Sequence, residues 1–290
     1  MKRRQIPTGS FASFMLSILL LTLPTACVNT SAVATKVETK GEIQSASFDL
    51  PQFTKIHNLT AADINVTHGK KQEIKVEAEK KDLENISLEV DLSTLVINDQ
   101  RKDKFTKSGD IKIYITVDEL KQVQNDGTGD FEFDGRNQTK EFKIISNGTG
   151  DIDTPSLSVN DLQILLNGTG DVSVAGKADI VDVELNGTGD MDLGFNGMTS
   201  LNVSLTGTGD FEGEGTVKNA SFSLSGTGNI SAKKLKALSV KANLSGSGNI
   251  TCYAADRFEG NREGNGDITC LGNPPFRNMD AEGYSFPQKK

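Results

Sequence analysis

The chain has 290 residues, 31 Lys plus Arg against 39 Asp plus Glu, a formal charge of -8 and 36% hydrophobic residues. That length holds one large or two ordinary domains, and the composition is neither collagenous nor that of a disordered chain. An acidic balance with no basic cluster beyond the extreme N-terminus argues against nucleic acid as a partner, because phosphate neutralisation by Lys and Arg supplies most of that affinity; with His57 and His68 as the two histidines, the commonest general base and metal ligand is scarce as well.

Residues 1–34 read as an export signal and linker. Lys2, Arg3 and Arg4 precede an apolar run from Phe11 to Leu23, whose 13 residues are too few for a hydrocarbon core that needs about 20 but suit a signal-peptide core. The run ends in Leu23-Pro24-Thr25-Ala26-Cys27, which resembles the lipobox of bacterial lipoproteins and makes Cys27 the candidate lipid-attachment site. Ala32-Val33-Ala34 offers an ordinary small-x-small cleavage site and therefore simple secretion instead. The expected location is the outer membrane, periplasm or cell surface of a Gram-negative bacterium.

Residues 35–120 alternate in short runs, among them Ile64 and Val66, Ile74 and Val76, Ile86 and Leu88, Leu95 and Ile97, and Ile111 through Val117, with charged breaks between. This is the pattern of strands with one buried face, and it predicts irregular leading β coils or a cap.

Residues 121–270 are a tandem repeat. GTGD begins at Gly127, Gly148, Gly168, Gly187 and Gly207, GTGN at Gly226, GSGN at Gly246 and GNGD at Gly264, spaced by 21, 20, 19, 20, 19, 20 and 18 residues. Two, four and six residues before a turn stand apolar triplets such as Leu166, Ile164 and Leu162, or Leu205, Val203 and Leu201. Four residues after it stand Phe131, Ile152, Val172, Met191, Phe211, Ile230, Ile250 and Ile268. Period two on both sides predicts strand, Gly-x-Gly turn, strand, with the other face in water. The paired glycines Gly127 and Gly129, Gly148 and Gly150, Gly168 and Gly170, Gly187 and Gly189, Gly207 and Gly209, Gly226 and Gly228, and Gly246 and Gly248 are expected where a sharp corner demands backbone angles that a side chain penalises. Residues 271–290, with Asn273-Pro274-Pro275-Phe276, read as a closing cap and tail.

Two all-β architectures fit: a single-stranded parallel β-helix of about eight coils of about 20 residues, and an antiparallel meander in which GTGD marks every second turn. The persistence of Thr at 128, 149, 169, 188, 208 and 227 favours the solenoid, since stacking alone rewards such a column.

The most pointed constellation is the acidic column Asp130, Asp151, Asp171, Asp190 and Asp210, continued by Asn229 and Asn249. Stacked carboxylates repel unless hydrogen-bonded or bridged, and Ca²⁺ takes several oxygen ligands, so these residues are metal candidates. Asp is also an ordinary turn residue, and turn chemistry is the preferred reading, with no cofactor expected. Cys252 and Cys270 both fall six residues after the first glycine of their repeats; stacking would place their Cα atoms about 4.8 Å apart, inside the range a disulfide tolerates. Two stacked buried thiols are the alternative.

The eight GTGD-like turns, the strand-rich leader and the export signal together resemble the bacterial family called putative auto-transporter adhesin, head GIN domain, over roughly residues 45–285. That resemblance implies a right-handed β-helix like that of pectin lyases, no shared catalytic residues, and a role in adhesion. A non-catalytic envelope protein that binds a glycan or protein partner through its repetitive surface, with oligomers allowed, is the resulting expectation. A polysaccharide lyase or hydrolase and a Ca-binding structural repeat are the alternatives. The repeat half holds no His and, as arginines, only Arg136, Arg257, Arg262 and Arg277, whereas an enzyme needs titratable groups converging in a cleft.

Overall fold

The computed structural model describes residues 33–40, 43–101, 110–134, 137–279 and 284–286. The export signal and Cys27 lie outside them. From Phe131 onward each coil lays its strands parallel on the coil before. Ile152 pairs with Val172, Val172 with Met191, Met191 with Phe211, Phe211 with Ile230, Ile230 with Ile250 and Ile250 with Ile268. On the limb that enters each turn, Leu166, Leu185, Leu205, Leu224 and Leu244 form a second register column. Parallel ladders between residues about 20 apart are those of a β-solenoid, and they exclude the meander.

The inward columns make the core. Every residue of the two columns just named is buried, as are Val183, Val203 and Phe222 between them. Burying one such aliphatic or aromatic side chain stabilises by about 1.5–3 kcal/mol, so each added coil extends the core along the axis rather than thickening it.

The turn glycines correct the sequence expectation about their cause. None of them has a left-handed backbone; among the described residues the glycines that do are Gly176, Gly197 and Gly215, at the far corners of the coils. What the turn requires is space. A Cβ on Gly148 would lie 1.9 Å from the carbonyl oxygen of Gly127, and one on Gly168 would lie 2.1 Å from that of Gly148. The turns stack so closely that Thr149 N–H donates to Gly127 O at 3.0 Å and Thr169 N–H to Gly148 O at 3.0 Å. A side chain has no room between two backbones that close.

The leading segment contains one coil that its sequence hid. Lys55–Asn58 and Asp63–His68 flank a turn, Thr60-Ala61-Ala62-Asp63, on which Gly127 and Gly129 stack directly. Beyond it the spatial order departs from chain order. Thr94–Asp99 and Lys112–Val117 lie on the outer side of this coil, while Gln122–Asn125 and Phe131–Asp134, later in the chain, lie on its inner side. The outermost strands run antiparallel: Ile86–Asp91 against Thr94–Asp99, and Glu73–Glu79, Ile43–Asp49 and Val33–Lys40 in succession against Lys112–Val117. Such hairpins cover the open rung that a solenoid otherwise exposes. Arg101 pins this end by bridging the buried carboxylates of Asp82, at 2.7 Å, and Asp99. At the other end Tyr284 and Phe286 pack edge-on against Phe258, with ring centroids 6.0 and 5.6 Å away.

Candidate functional site

The acidic column is a hydrogen-bonded ladder. The backbone N–H of Asp151 donates to Asp130 Oδ1 at 3.0 Å, that of Asp171 to Asp151 at 2.8 Å, that of Asp190 to Asp171 at 2.7 Å and that of Asp210 to Asp190 at 2.8 Å. Asn229, Asn249 and Asp267 continue it without a break, and Asp63 begins it at the hidden coil. Each carboxylate therefore satisfies the backbone of the next coil rather than that of its own turn, and a carboxylate accepting an N–H is a strong hydrogen bond. Among the described residues no three His, Cys, Asp or Glu side chains are grouped to hold a metal ion. A second ladder runs beside the first, from Asn147 to Asp126 at 2.6 Å, Asn167 to Asn147 at 2.8 Å and Asn186 to Asn167 at 3.1 Å.

Beyond the turn the strands present further acids. Asp192, Glu212 and Glu214 surround a shallow hollow with Lys234, which bridges to Glu212 at 3.0 Å. Partial burial, then the neighbouring Glu212, Asp190 and Asp171, push the Asp192 carboxyl above the ordinary aspartate range.

The histidines do not join these acids. His57 Nε2 sits 2.6 Å from Asp126 Oδ2 on the hidden coil, and His68 is exposed at the end of a different strand. Burial raises the Asp126 carboxyl, but hydrogen bonds from His57, Asn147 and Gln124 together outweigh it and hold the group below the usual range.

A continuous groove lies on the outward face of the limbs that enter the turns. Two adjoining hollows of about 640 and 470 Å³ share Lys143, Gln163 and Asp182. Together they run from Lys55, Lys121 and Gln122 at the capped end, across Gln163, Asp182 and Asn202, to Ser221 and Ser223. A further hollow of about 350 Å³, lined by Asn243, Glu259, Asn261 and Asn278, continues on the same limb near the C-terminal end. Period two places these side chains outward, because the residues between them, Phe142, Leu162, Ile164, Val181 and Val183, are in the core. The groove is thus lined by amides, hydroxyls, carboxylates and lysine ammonium groups, interrupted by the outward Leu165 and Ile180, with Asn202 holding Asp182 at 2.7 Å. Sequence reasoning centred on the turns passed over it. The signal was there in the residues five and three before each turn glycine, such as Gln163 and Leu165, Asp182 and Glu184, and Asn202 and Ser204.

The paired glycines line up at the turns as described, and Cys252 and Cys270 lie inside the solenoid as register partners, both buried. With this geometry in place, the family model for putative auto-transporter adhesin, head GIN domain, matches residues 52–195 and 182–274. The chain belongs to this family. Solved structures similar to this GIN-domain chain include a putative adhesin from Bacteroides fragilis, 23% identical over 83% of this chain and 93% of its own, TM-score 0.50. A second is a putative adhesin from Parabacteroides merdae, 18% identical over 86% and 97%, TM-score 0.63. A third is a putative lipid binding protein from Parabacteroides distasonis, 23% identical over 86% and 98%, TM-score 0.61. At these identities the likeness is one of fold. No curated protein matches the chain.

Proposed function

We propose that this GIN-domain protein is an exported, non-catalytic adhesin that holds an extended polar polymer, a glycan foremost, along the groove. The observation that carries the reading is the continuity of the groove across successive coils, with a hydrogen-bonding side chain offered at each step of about 4.8 Å. A polymer lying along the solenoid axis meets the same kinds of group again and again, so many weak polar contacts add up along its length. Membership in a family described as adhesins supports this use of the surface. The groove is an open surface hollow lined by Glu141, Asp161, Asp182 and Glu184 with no histidine in its lining, which supports binding over bond cleavage.

Export with a lipid anchor fits the fold's first strand. Val33–Lys40 pairs from its first residue, Val33 with Asp49, so cleavage before Cys27 leaves the strand whole, whereas cleavage after Ala34 removes its start. A second reading, an acyl-chain ligand, is favoured by the outward-facing Leu165 and Ile180 within the groove, with Ile145 beside them, and by the lipid-binding description of one structural neighbour.

An array of bacterial and host polysaccharides, probed with the wild type and with a Ser204→Arg, Ser221→Arg double variant that fills the groove, tests the reading. Binding to a polar glycan that weakens at least tenfold in the variant is the expected result. Absence of glycan binding, or binding that the variant leaves intact, overturns it; release of new reducing ends overturns its non-catalytic part.

A further inference from the structure

The core column that begins two residues after the first inward residue of each coil reads Phe133, Thr154, Val174, Leu193, Gly213, Ala232, Cys252 and Cys270 toward the C-terminus. Its last two members are register partners in neighbouring parallel strands, Ile250–Cys252 and Ile268–Cys270. Both are within 1% of complete burial, and each thiol perturbs the other's ionisation. Parallel neighbours stand about 4.8 Å apart, inside the roughly 4.4–6.8 Å between Cα atoms that a disulfide spans. We infer that Cys252 and Cys270 form an interior disulfide that latches the last coils of the solenoid.

The place and the chemistry of the pair both bear on this. A terminal coil has a neighbour on one side only and is the first to open in a stacked repeat. Among the described residues of this end, Phe276–Met279 is exposed along its whole length, and Tyr284 and Phe286 rest on Phe258. A covalent link between the strands beneath it ties the end of the chain to the coil before.

The two thiols are also unequal. The hydrogen bond from Cys252 brings Cys270 down to about 7 against the effect of burial, helped by the backbone at Gly272 and Ala254 and by Arg277, while the same contact and burial push Cys252 up. With the last rung open, one of the two cysteine thiolates displaces a thiolate from an external low-molecular-weight disulfide, giving a mixed disulfide. The other cysteine, deprotonated as it attacks, then displaces the second thiolate from the first. Two protein thiols are oxidised to one disulfide, and one external disulfide is reduced to two thiols. Because neither sulfur reaches the surface, closure occurs while the last rung is open, and the bond is sealed as Tyr284 and Phe286 dock.

The test uses the full mature chain, denatured and reduced, then refolded in a buffer of oxidised and reduced glutathione and alkylated under denaturing, non-reducing conditions. Digestion at Lys and Arg separates the two cysteines into peptides 242–257 and 263–277. The expected product is these two peptides joined, with neither thiol alkylated. Reduction should then lower the melting midpoint by about 5–10 °C, as closing a loop of this length implies. A Cys252→Ala, Cys270→Ala variant, which repeats the Ala232 of the same column, should fold and show no such drop. Alkylation of both cysteines, or glutathione adducts without the joined peptides, overturns the inference. The outcome does not depend on export, so it stands apart from the reading of the groove.

Discussion

Gly187→Ala isolates the claim that the turns are held by contact rather than by backbone angle. The added Cβ would sit 2.1 Å from Gly168 O, 2.8 Å from the Asn167 carbonyl carbon and 2.9 Å from its oxygen. All three are backbone atoms, and they are fixed by the ladder on their other side, so the two coils must part by more than an ångström at the turn. Parting them stretches the bonds from Gly187 N–H to Leu166 O and from Thr188 N–H to Gly168 O, each 3.1 Å long. Overpacking strain of about 1–3 kcal/mol and two weakened hydrogen bonds at about 1 kcal/mol each give a loss of about 3–5 kcal/mol. The control is Gly197→Asn. Gly197 has φ of 82°, and nothing lies within 4 Å of where its Cβ would be. Asn adopts that left-handed conformation readily, so the change should stay within about 0.5 kcal/mol. Urea unfolding measures both, and hydrogen exchange at Thr188 shows whether the opening is local to that turn. A Gly187→Ala variant within 0.5 kcal/mol of wild type, with Thr188 still protected, would refute the reasoning.

The ladder of acids gives two further tests. Asp171→Ala leaves the Asp190 N–H without its acceptor and should cost about 1 kcal/mol in urea unfolding, while Asp171→Asn keeps an oxygen in place, as Asn229 and Asn249 do, and should cost less than half as much. Millimolar calcium should leave the melting temperature of the wild type unchanged, because a ligand stabilises only through preferential binding to the folded state; a marked rise would restore the metal reading. For Asp192 the sign runs the other way from a paired carboxylate. Its raised folded-state pKa means that the folded state binds more protons than the unfolded state just above the ordinary aspartate range, so this group's destabilising effect grows as pH rises through that window and persists at neutral pH. Asp192→Asn should raise the melting temperature at pH 7 and flatten the profile on the acid side, and an unchanged profile would contradict the assignment. At the N-terminus, the exported protein should partition with membranes and lose that behaviour in Cys27→Ala; an unmodified mature chain beginning at Thr35 would rule out the anchor.

Much of the solenoid was legible because its spacing is nearly constant. Eight Gly-x-Gly turns 18 to 21 residues apart, with period two on each side, leave one set of side chains inward, and those are the residues found in the core. The hidden coil escaped notice for a physical reason. A turn glycine makes room for the carbonyl of the turn before it, and no Gly-x-Gly turn precedes Thr60-Ala61-Ala62-Asp63, so side chains are tolerated there. Thr60 even uses its hydroxyl, which donates to Asn58 Oδ1 at 2.7 Å. The insertion of Thr94–Asp99 and Lys112–Val117 outside that coil was not legible at all, because period two marks a strand's buried face but not its neighbour. Turn chemistry alone does not say which backbone each acid serves; only stacking brings the next coil's N–H within reach. The groove depends on side chains brought together from seven successive rungs, so it appears once the register between coils is known.

The most direct test of the adhesive groove is titration calorimetry with the strongest glycan from the array, comparing wild type, the Ser204→Arg, Ser221→Arg groove variant and an Asp151→Asn, Asp190→Asn variant on the acidic ladder. Affinity lost at least tenfold by the groove variant and kept within twofold by the ladder variant is the expected pattern. Loss in the ladder variant with full affinity in the groove variant would place the adhesive surface at the turns and contradict the account.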